Sequence, residues 1–286
     1  MENNSICRRR INVGDIAARI AIYLSTGISI LVTVGIMAFI IYKGYKSLTW
    51  DFVFSSAFSY PYEHYGILSN IINSLYIIFG TLIIALPIGI ISSIYLCEYA
   101  RRGILTSAIE FAVEILTGIP SIIYGLFGYM YFYILFKHSF SILSGIFTLS
   151  VMILPTIIRM TGESIKATPK SYREGAIALG AGRLLIIRTI VLPCSLSGIA
   201  ASITLSIGRI MGESAALIFT AGISSSMPTS LLSHFTQSGG TLSVALFQYM
   251  QRGGSEMKYA YAAAAILLII VLLHNIITMF IRRKEY

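Results

Sequence analysis

The stretch REGAIALGAGRLLIIRTIVLP, Arg173 to Pro193, decides how this chain folds. Just upstream, Ser171 has a hydroxyl able to cap a helix, and Glu174 three residues later completes a capping-box spacing. Ala176, Ile177 and Leu179 then form an apolar stripe that stops at Gly180, a residue type that ends helices by accepting a left-handed backbone. A second helix is predicted from there up to Pro193. The wider segment 159–193 holds Arg159, Lys166, Lys170, Arg173, Arg183 and Arg188 out of 21 Lys and Arg in the chain, so it lies in water. A projecting helical knob with an apolar face predicts a partner that covers it.

On either side of this knob the chain is written for lipid. Of 286 residues, 56% are hydrophobic and only 12% charged, and the mean hydropathy is +0.80; a soluble domain carries about a quarter charged residues. Six stretches are long and apolar enough to cross a bilayer, at about 20–42, 70–96, 107–136, 141–158, 194–222 and 259–281. An all-α polytopic membrane protein with six transmembrane helices follows. With both termini on one side, that side carries Lys or Arg at 8, 9, 10, 19, 101, 102, 159, 166, 170, 173, 183, 188, 282, 283 and 284. The other side carries only 43, 46, 137, 252 and 258, and Arg209 is left inside. Positive charge collects on the cytoplasmic face, so both termini are predicted to be cytoplasmic. The net charge of +9 is thus a matter of topology and not a nucleic-acid footprint.

The first span follows Arg8, Arg9 and Arg10, but its apolar core is long and no small-residue cleavage site follows, so it reads as an anchor that is kept. Cys7, Cys97 and Cys194 fall at or near cytoplasmic ends, and neither a disulfide nor a metal site is expected. Trp50 and Tyr60, Tyr62 and Tyr65 in the first external loop suit a membrane interface. The second external loop contains TLSVALFQYM, 241–250, whose amphipathic pattern suggests a helix lying flat on the outer surface. Pro87 and Gly89 in the second span, and Gly118, Pro120, Gly125 and Gly128 in the third, either bend packed helices or mark helices that line a pathway. Glu110 and Glu114 are placed at the cytoplasmic interface.

The knob also carries a family pattern. Glu174, Gly175, Ala176, then Gly180, Ile190, Leu192 and Pro193 reproduce the spacing Glu-Ala-Ala, three residues, Gly, nine residues, Ile, one residue, Leu-Pro, with Gly175 the one departure. The segment resembles the cytoplasmic coupling loop of MetI-like ABC importer permeases. LPIGIISSIYLCEYA (86–100), ILTGIPSIIYGLFG (115–128), LPTIIRMTGESIKATP (154–169) and GRIMGESAALIFTAG (208–222) extend the likeness to the phosphate-importer permeases. The resemblance implies a type I ABC importer permease fold and alternating access. It further implies that Glu174, Gly175, Ala176, Gly180, Ile190, Leu192 and Pro193 dock on an ATPase. The implied division is a cytoplasmic segment 1–19, an N-terminal transmembrane helix 20–42, an external loop 43–69, an ABC permease domain 70–282 with a coupling loop 159–193, and a tail 283–286. The implied partners are a second permease subunit, a homodimeric ATPase that holds ATP and Mg, and an extracytoplasmic phosphate-binding protein; this chain itself would bind no cofactor.

Within the fifth span Arg209 and Glu213 stand four residues apart, a spacing that predicts one shared helix face. A charge at mid-span costs about 2.5–3.5 kcal/mol on insertion scales and persists only with a partner or a role. Either the two neutralise each other, or Arg209 meets an oxyanion in a substrate pathway with Glu213 holding the guanidinium between passages. Gly208 and Gly212 beside them would let another helix close in. Arg159 and Glu163, again four apart at the end of the fourth span, are either a gate or a solvated helix end.

The expected function is therefore a membrane permease subunit of an ATP-driven phosphate importer; a permease for another oxyanion, sulfate or molybdate, is the alternative. No Gly-Lys-Ser/Thr loop is present, so ATP chemistry must come from a partner and the chain is not expected to be an enzyme. An intramembrane hydrolase is disfavoured because His64, His138 and His234 fall in loops and no serine stands in a Gly-x-Ser-x-Gly setting. A passive channel would leave the coupling loop without a purpose.

Overall fold

The structure, a computed structural model, describes residues 13–55, 65–101, 103–136, 140–225, 227, 230 and 233–283. Cys7, Arg8 to Arg10, Tyr60, Tyr62, His64 and His138, named above, lie outside them. Among the described residues all regular structure is helical. The elements are α1 (Val13–Gly44), α2 (Trp50–Phe54), α3 (Leu68–Ile94), α4 (Ile104–Gly118), α5 (Ser121–Phe136), α6 (Ile142–Ala167), α7 (Lys170–Ala178), α8 (Arg183–Ile186), α9 (Leu192–Gly212), α10 (Ala215–Thr220), α11 (Leu242–Arg252) and α12 (Met257–Arg283). Among the described residues five helices are long and apolar enough to cross a membrane, and α4 with α5 makes a sixth span if taken together.

That pair corrects the reading of 107–136 as one helix, since α4 and α5 meet at a bend of 105°. Pro120 has no N–H and disfavours helical backbone at the residue before it, and Ile119 accordingly sits at φ −71°, ψ 129°. The bend leaves carbonyls at the end of α4 without helical donors, and the Tyr124 hydroxyl donates to Leu116 O at 2.7 Å. A kink at membrane depth survives by finding such substitutes within the protein.

The core is built where α3 and α6 cross. Lipid tails are as apolar as leucine, so helices in a bilayer are held by close packing and hydrogen bonds more than by hydrophobic drive. Ile77, Ile146, Leu149, Ile153 and Ile157 are buried here, and the Ser150 hydroxyl bonds back to Ile146 O at 2.7 Å within its own helix. On the far side α5 lies against α10 through Gly125, where an added Cβ would sit 2.7 Å from Ala216 Cα. Gly125→Val is expected to cost about 1–3 kcal/mol through overpacking and to lower the thermal midpoint of the purified protein in detergent. An unchanged midpoint would show that the approach is softer than the geometry implies.

A second cluster joins α2, α11 and α12. Tyr249 is fully buried, with ring centroids 6.3 Å from Phe52 and 6.1 Å from Tyr259, and its hydroxyl donates to Gly66 O at 3.3 Å. This corrects the expectation for 241–250. Leu242, Val244, Ala245 and Tyr249 are buried against protein, so α11 is an inserted helix and not one resting on a surface. Its amphipathic pattern is met by α2 and α12 instead of by lipid headgroups.

The segment leading into α11 is tied to the start of α3 by a buried amide cluster. Asn70 Nδ2 and Asn73 Nδ2 donate to Gly240 O at 2.8 and 3.2 Å. His234 Nε2 donates to Asn73 Oδ1 at 2.7 Å, and burial pushes the imidazole pKa down.

Candidate functional site

Three places gather the residues singled out above. The first is mid-depth in the bundle. The fifth span is broken: α9 ends at Gly212, Glu213 takes an extended backbone at φ −79°, ψ 118°, and α10 restarts at Ala215. Arg209 and Glu213 therefore do not share a helix face, and among the described residues no carboxylate stands within ion-pair distance of Arg209. Glu213 Oε1 instead accepts from Ala216 N at 3.0 Å, capping α10, while its carbonyl accepts from the Ser243 hydroxyl at 2.7 Å. Arg209 Nη1 donates to Thr156 Oγ1 at 3.3 Å. Thr156 is close to the middle of the 26-residue α6, which fixes the depth of the guanidinium. A half-buried, permanently charged fork held by one neutral hydroxyl has donors left for an anion. Around Gly208 and Gly212 the space that a Cβ would enter is open.

The second place is a cleft of about 300 Å³ at the end of the bundle rich in Lys and Arg, lined by Glu110, Glu114 and Thr117 of α4 and Arg159, Glu163 and Lys166 of α6. The helix α6 runs on to Ala167, so Arg159 and Glu163 lie on one continuous helix that enters the segment 159–193. They form an ion pair at 3.3 Å with side chains 66% and 67% exposed, a class of contact worth at most about 0.5 kcal/mol. Thr156, Arg159 and Glu163 follow i, i+3, i+7 spacing, so one face of α6 connects the surroundings of Arg209 with this cleft. Glu110 and Glu114, placed at an interface by sequence, share it.

The third place is the knob. The helix α7 starts at Lys170 with Pro169 in the capping position and no side-chain cap, so Ser171 does not act as the N-cap; Pro169 holds the backbone extended at φ −56°, ψ 132° and sets the start itself. Gly180 has φ +82°, the left-handed conformation that its place after the helix requires. Ala176 and Ile190 pack against buried Ile165, Ile186 and Val191, which explains the small and the branched residue at those positions of the motif. Before Pro193 the helix widens into a π-turn, Ile187–Val191, with Leu192 N reaching Ile187 O. Pro193 cannot supply the donor that regular α-helix needs at this point. Glu174 is exposed, next to an apolar surface of Ile177 at 62%, Leu179 at 90% and Leu184 at 72% exposure. Beside Gly175 there is open space, so Gly175→Ala is expected to raise amide-exchange protection across α7 several-fold, up to about 1 kcal/mol of helix stability.

Sequence reasoning missed the contacts that brace the knob. Arg173 Nη2 lies 3.0 Å from Glu98 Oε1 and donates to Ile165 O at 2.7 Å. Glu98 belongs to a π-turn, Tyr95–Tyr99, that closes α3. The signal was the lone acidic residue in LCEYA, overlooked because its partner is 75 residues away.

The family model described as the binding-protein-dependent transport system inner membrane component matches residues 85–285. The chain is 32% identical over 266 residues to the phosphate transport system permease protein PstA of Haemophilus influenzae, covering 92% of each. It is 35% identical over 221 residues to PstA of Yersinia pestis, covering 77% and 73%. A probable ABC transporter permease, YqgI of Bacillus subtilis, is 33% identical over 200 residues, covering 70% and 68%. Among solved structures, an inward-facing MetNI methionine ABC transporter chain superposes with a TM-score of 0.59 at 22% identity, over 77% of this chain and 94% of its own. An alginate ABC transporter chain superposes with 0.57 at 17% identity, over 94% and 97%. These last two establish the fold, a type I ABC importer permease.

Proposed function

The chain belongs to the binding-protein-dependent transport system inner membrane components, and from that membership we propose that it is the membrane-spanning permease subunit of an ATP-driven importer of inorganic phosphate. It is a multi-pass protein of the bacterial cytoplasmic membrane. It is not an enzyme; ATP is hydrolysed by a separate subunit. The likeness to PstA proteins over most of the chain supports phosphate as the cargo.

The observation that carries the reading is Arg209, fixed at mid-depth by Thr156 with its former candidate partner Glu213 turned to cap α10. Phosphate near neutral pH is a mixture of mono- and dianion, and a pathway through low dielectric opposes it unless fixed positive charge offsets the lost hydration. Arg209 supplies that charge, and the polar face of α6 leads from it to the cleft at Arg159 and Glu163, where we place the exit gate. Glu174 to Gly180, with Ile190, Leu192 and Pro193 supporting it, docks in a groove of the ATPase as an exposed helix with an apolar edge. Gly208 and Gly212 face a PstC-like second permease, a PstB-like ATPase dimer lies at the coupling end, and a PstS-like binding protein delivers phosphate at the other.

Uptake of radiolabelled phosphate and sulfate, in cells lacking and then regaining this gene, tests the assignment. Phosphate uptake that follows the gene and stops on ATP depletion is expected. Sulfate uptake following it instead would assign another oxyanion, and uptake that survives ATP depletion would make the chain a passive channel.

A further inference from the structure

The docking helix α7 is joined to its neighbours by short links, an extended Thr168–Pro169 before it and the left-handed Gly180 after it. Outside these links, a contact from a separate helix would give α7 a second route for passing on a push. The structure supplies one from a helix distant in sequence. The Arg173 guanidinium pairs with Glu98 at 3.0 Å and also donates to Ile165 O at 2.7 Å, so one side chain clamps α7, the end of α3 and the end of α6. Both partners are sheltered, with side chains 23% and 12% exposed, and a sheltered pair is costly to break because it strands a carboxylate away from water. One residue on from Glu98, the ring of Tyr99 lies 5.4 Å from the Arg183 guanidinium of α8. Higher on α3, the Ser93 hydroxyl donates to Ile158 O at 2.8 Å and fastens this same helix end to α6. Glu98 and Tyr99 both lie within the π-turn Tyr95–Tyr99, whose wider winding departs from α-helical register where α3 meets the knob.

We propose that Glu98 and Arg173 are positioning residues that form a latch, through which movement of the docked α7 is passed to α3 and so to the α3–α6 core. Their role is to transmit, and neither needs to touch phosphate or ATP. The proposal rests on α7 being the ATPase contact. It separates two properties that a merely structural pair would lose together: assembly of the complex and the amount of phosphate moved per ATP.

The test uses the complete complex with its partner subunits and binding protein, reconstituted in vesicles, measuring radiolabelled inorganic phosphate taken up and ATP hydrolysed per assembled complex. Glu98→Gln and Arg173→Gln are each expected to lower phosphate moved per ATP about tenfold, the scale of an ordinary coupling energy, with ATP hydrolysis retained. The double variant should be no worse than the worse single one. Tyr99→Leu, which removes the ring that lies against Arg183 and leaves the Glu98–Arg173 pair in place, keeps the test open should Glu98→Gln fail to assemble, and should lower the ratio about threefold. Unchanged ratios in these variants, or losses that multiply in the double variant, overturn the latch. Glu174→Arg in the same assay distinguishes the levels. If it abolishes transport while the latch variants keep full coupling, the latch fails and the docking reading stands; if it leaves transport intact, the docking reading fails and the latch with it.

Discussion

Arg209→Gln is expected to reduce phosphate uptake by a hundredfold or more while the complex still assembles in the membrane. Glutamine stays polar but is too short to reach Thr156 Oγ1, 3.3 Å from the guanidinium, and it removes the fixed charge at mid-depth. Hydrogen bonds to charged groups contribute about 1.5–3 kcal/mol each, and a hundredfold in rate corresponds to about 2.7 kcal/mol; losing one or two bonds to a passing oxyanion covers it. Arg209→Lys should fall between, because an ammonium keeps the charge without the planar fork. Glu213→Gln makes the comparison sharp. Its side-chain oxygen can still accept from Ala216 N, now 3.0 Å from the carboxylate, so the cap on α10 is retained and uptake should drop only a few-fold. Equal losses for Glu213→Gln and Arg209→Gln would restore the ion-pair reading, and normal uptake with Arg209→Gln would sink the anion role.

Glu174→Arg should uncouple transport from ATP hydrolysis. Glu174 is exposed on α7, three residues before Ile177 and therefore next to it on the helix surface. An apolar edge of this kind in water marks a surface that another protein covers. Placing a reversed charge in a docked groove costs several kcal/mol when like charges are brought together, enough to lower uptake at least tenfold and to reduce copurification of the ATPase. Retained copurification of every subunit with unchanged uptake would count against α7 as the docking element. Since Glu174 makes no ion pair among the described residues, its replacement should leave the fold of this chain intact.

How far these sites were legible in the sequence differs from one to the next. The knob was legible because its signals are local: Gly180 must take a positive φ, Ala176 must be small, and Pro193 must disturb the helix before it, all within one stretch. Its N-cap was not, because Pro169 sets the backbone before Ser171 can act. Pro120 announced an interruption, but the 105° bend depends on how α5 packs against α10 and on the Tyr124 hydroxyl reaching Leu116. The break after Gly212 was hidden, since Ala215 to Thr220 reads as continued helix. At the break the Ser243 hydroxyl, 30 residues on, donates to the Glu213 carbonyl, a contact that the local sequence does not announce.

By itself the sequence determined that this chain lies in a membrane, roughly where it crosses, where its positive charges gather, and that a helical knob ending at Gly180 stands between two spans. Those properties follow from transfer free energies and local backbone preferences, which act over one turn or one span and need no knowledge of neighbours. Only the tertiary structure decided that Arg209 and Glu213 part company, that α11 is inserted, that Arg159 and Glu163 share a cleft with Glu110 and Glu114, and that Glu98 clamps Arg173. Each of these depends on a partner tens of residues away. Hydrogen-bond donors and carboxylates choose such partners by distance in space, and sequence spacing on one helix carries no information about them.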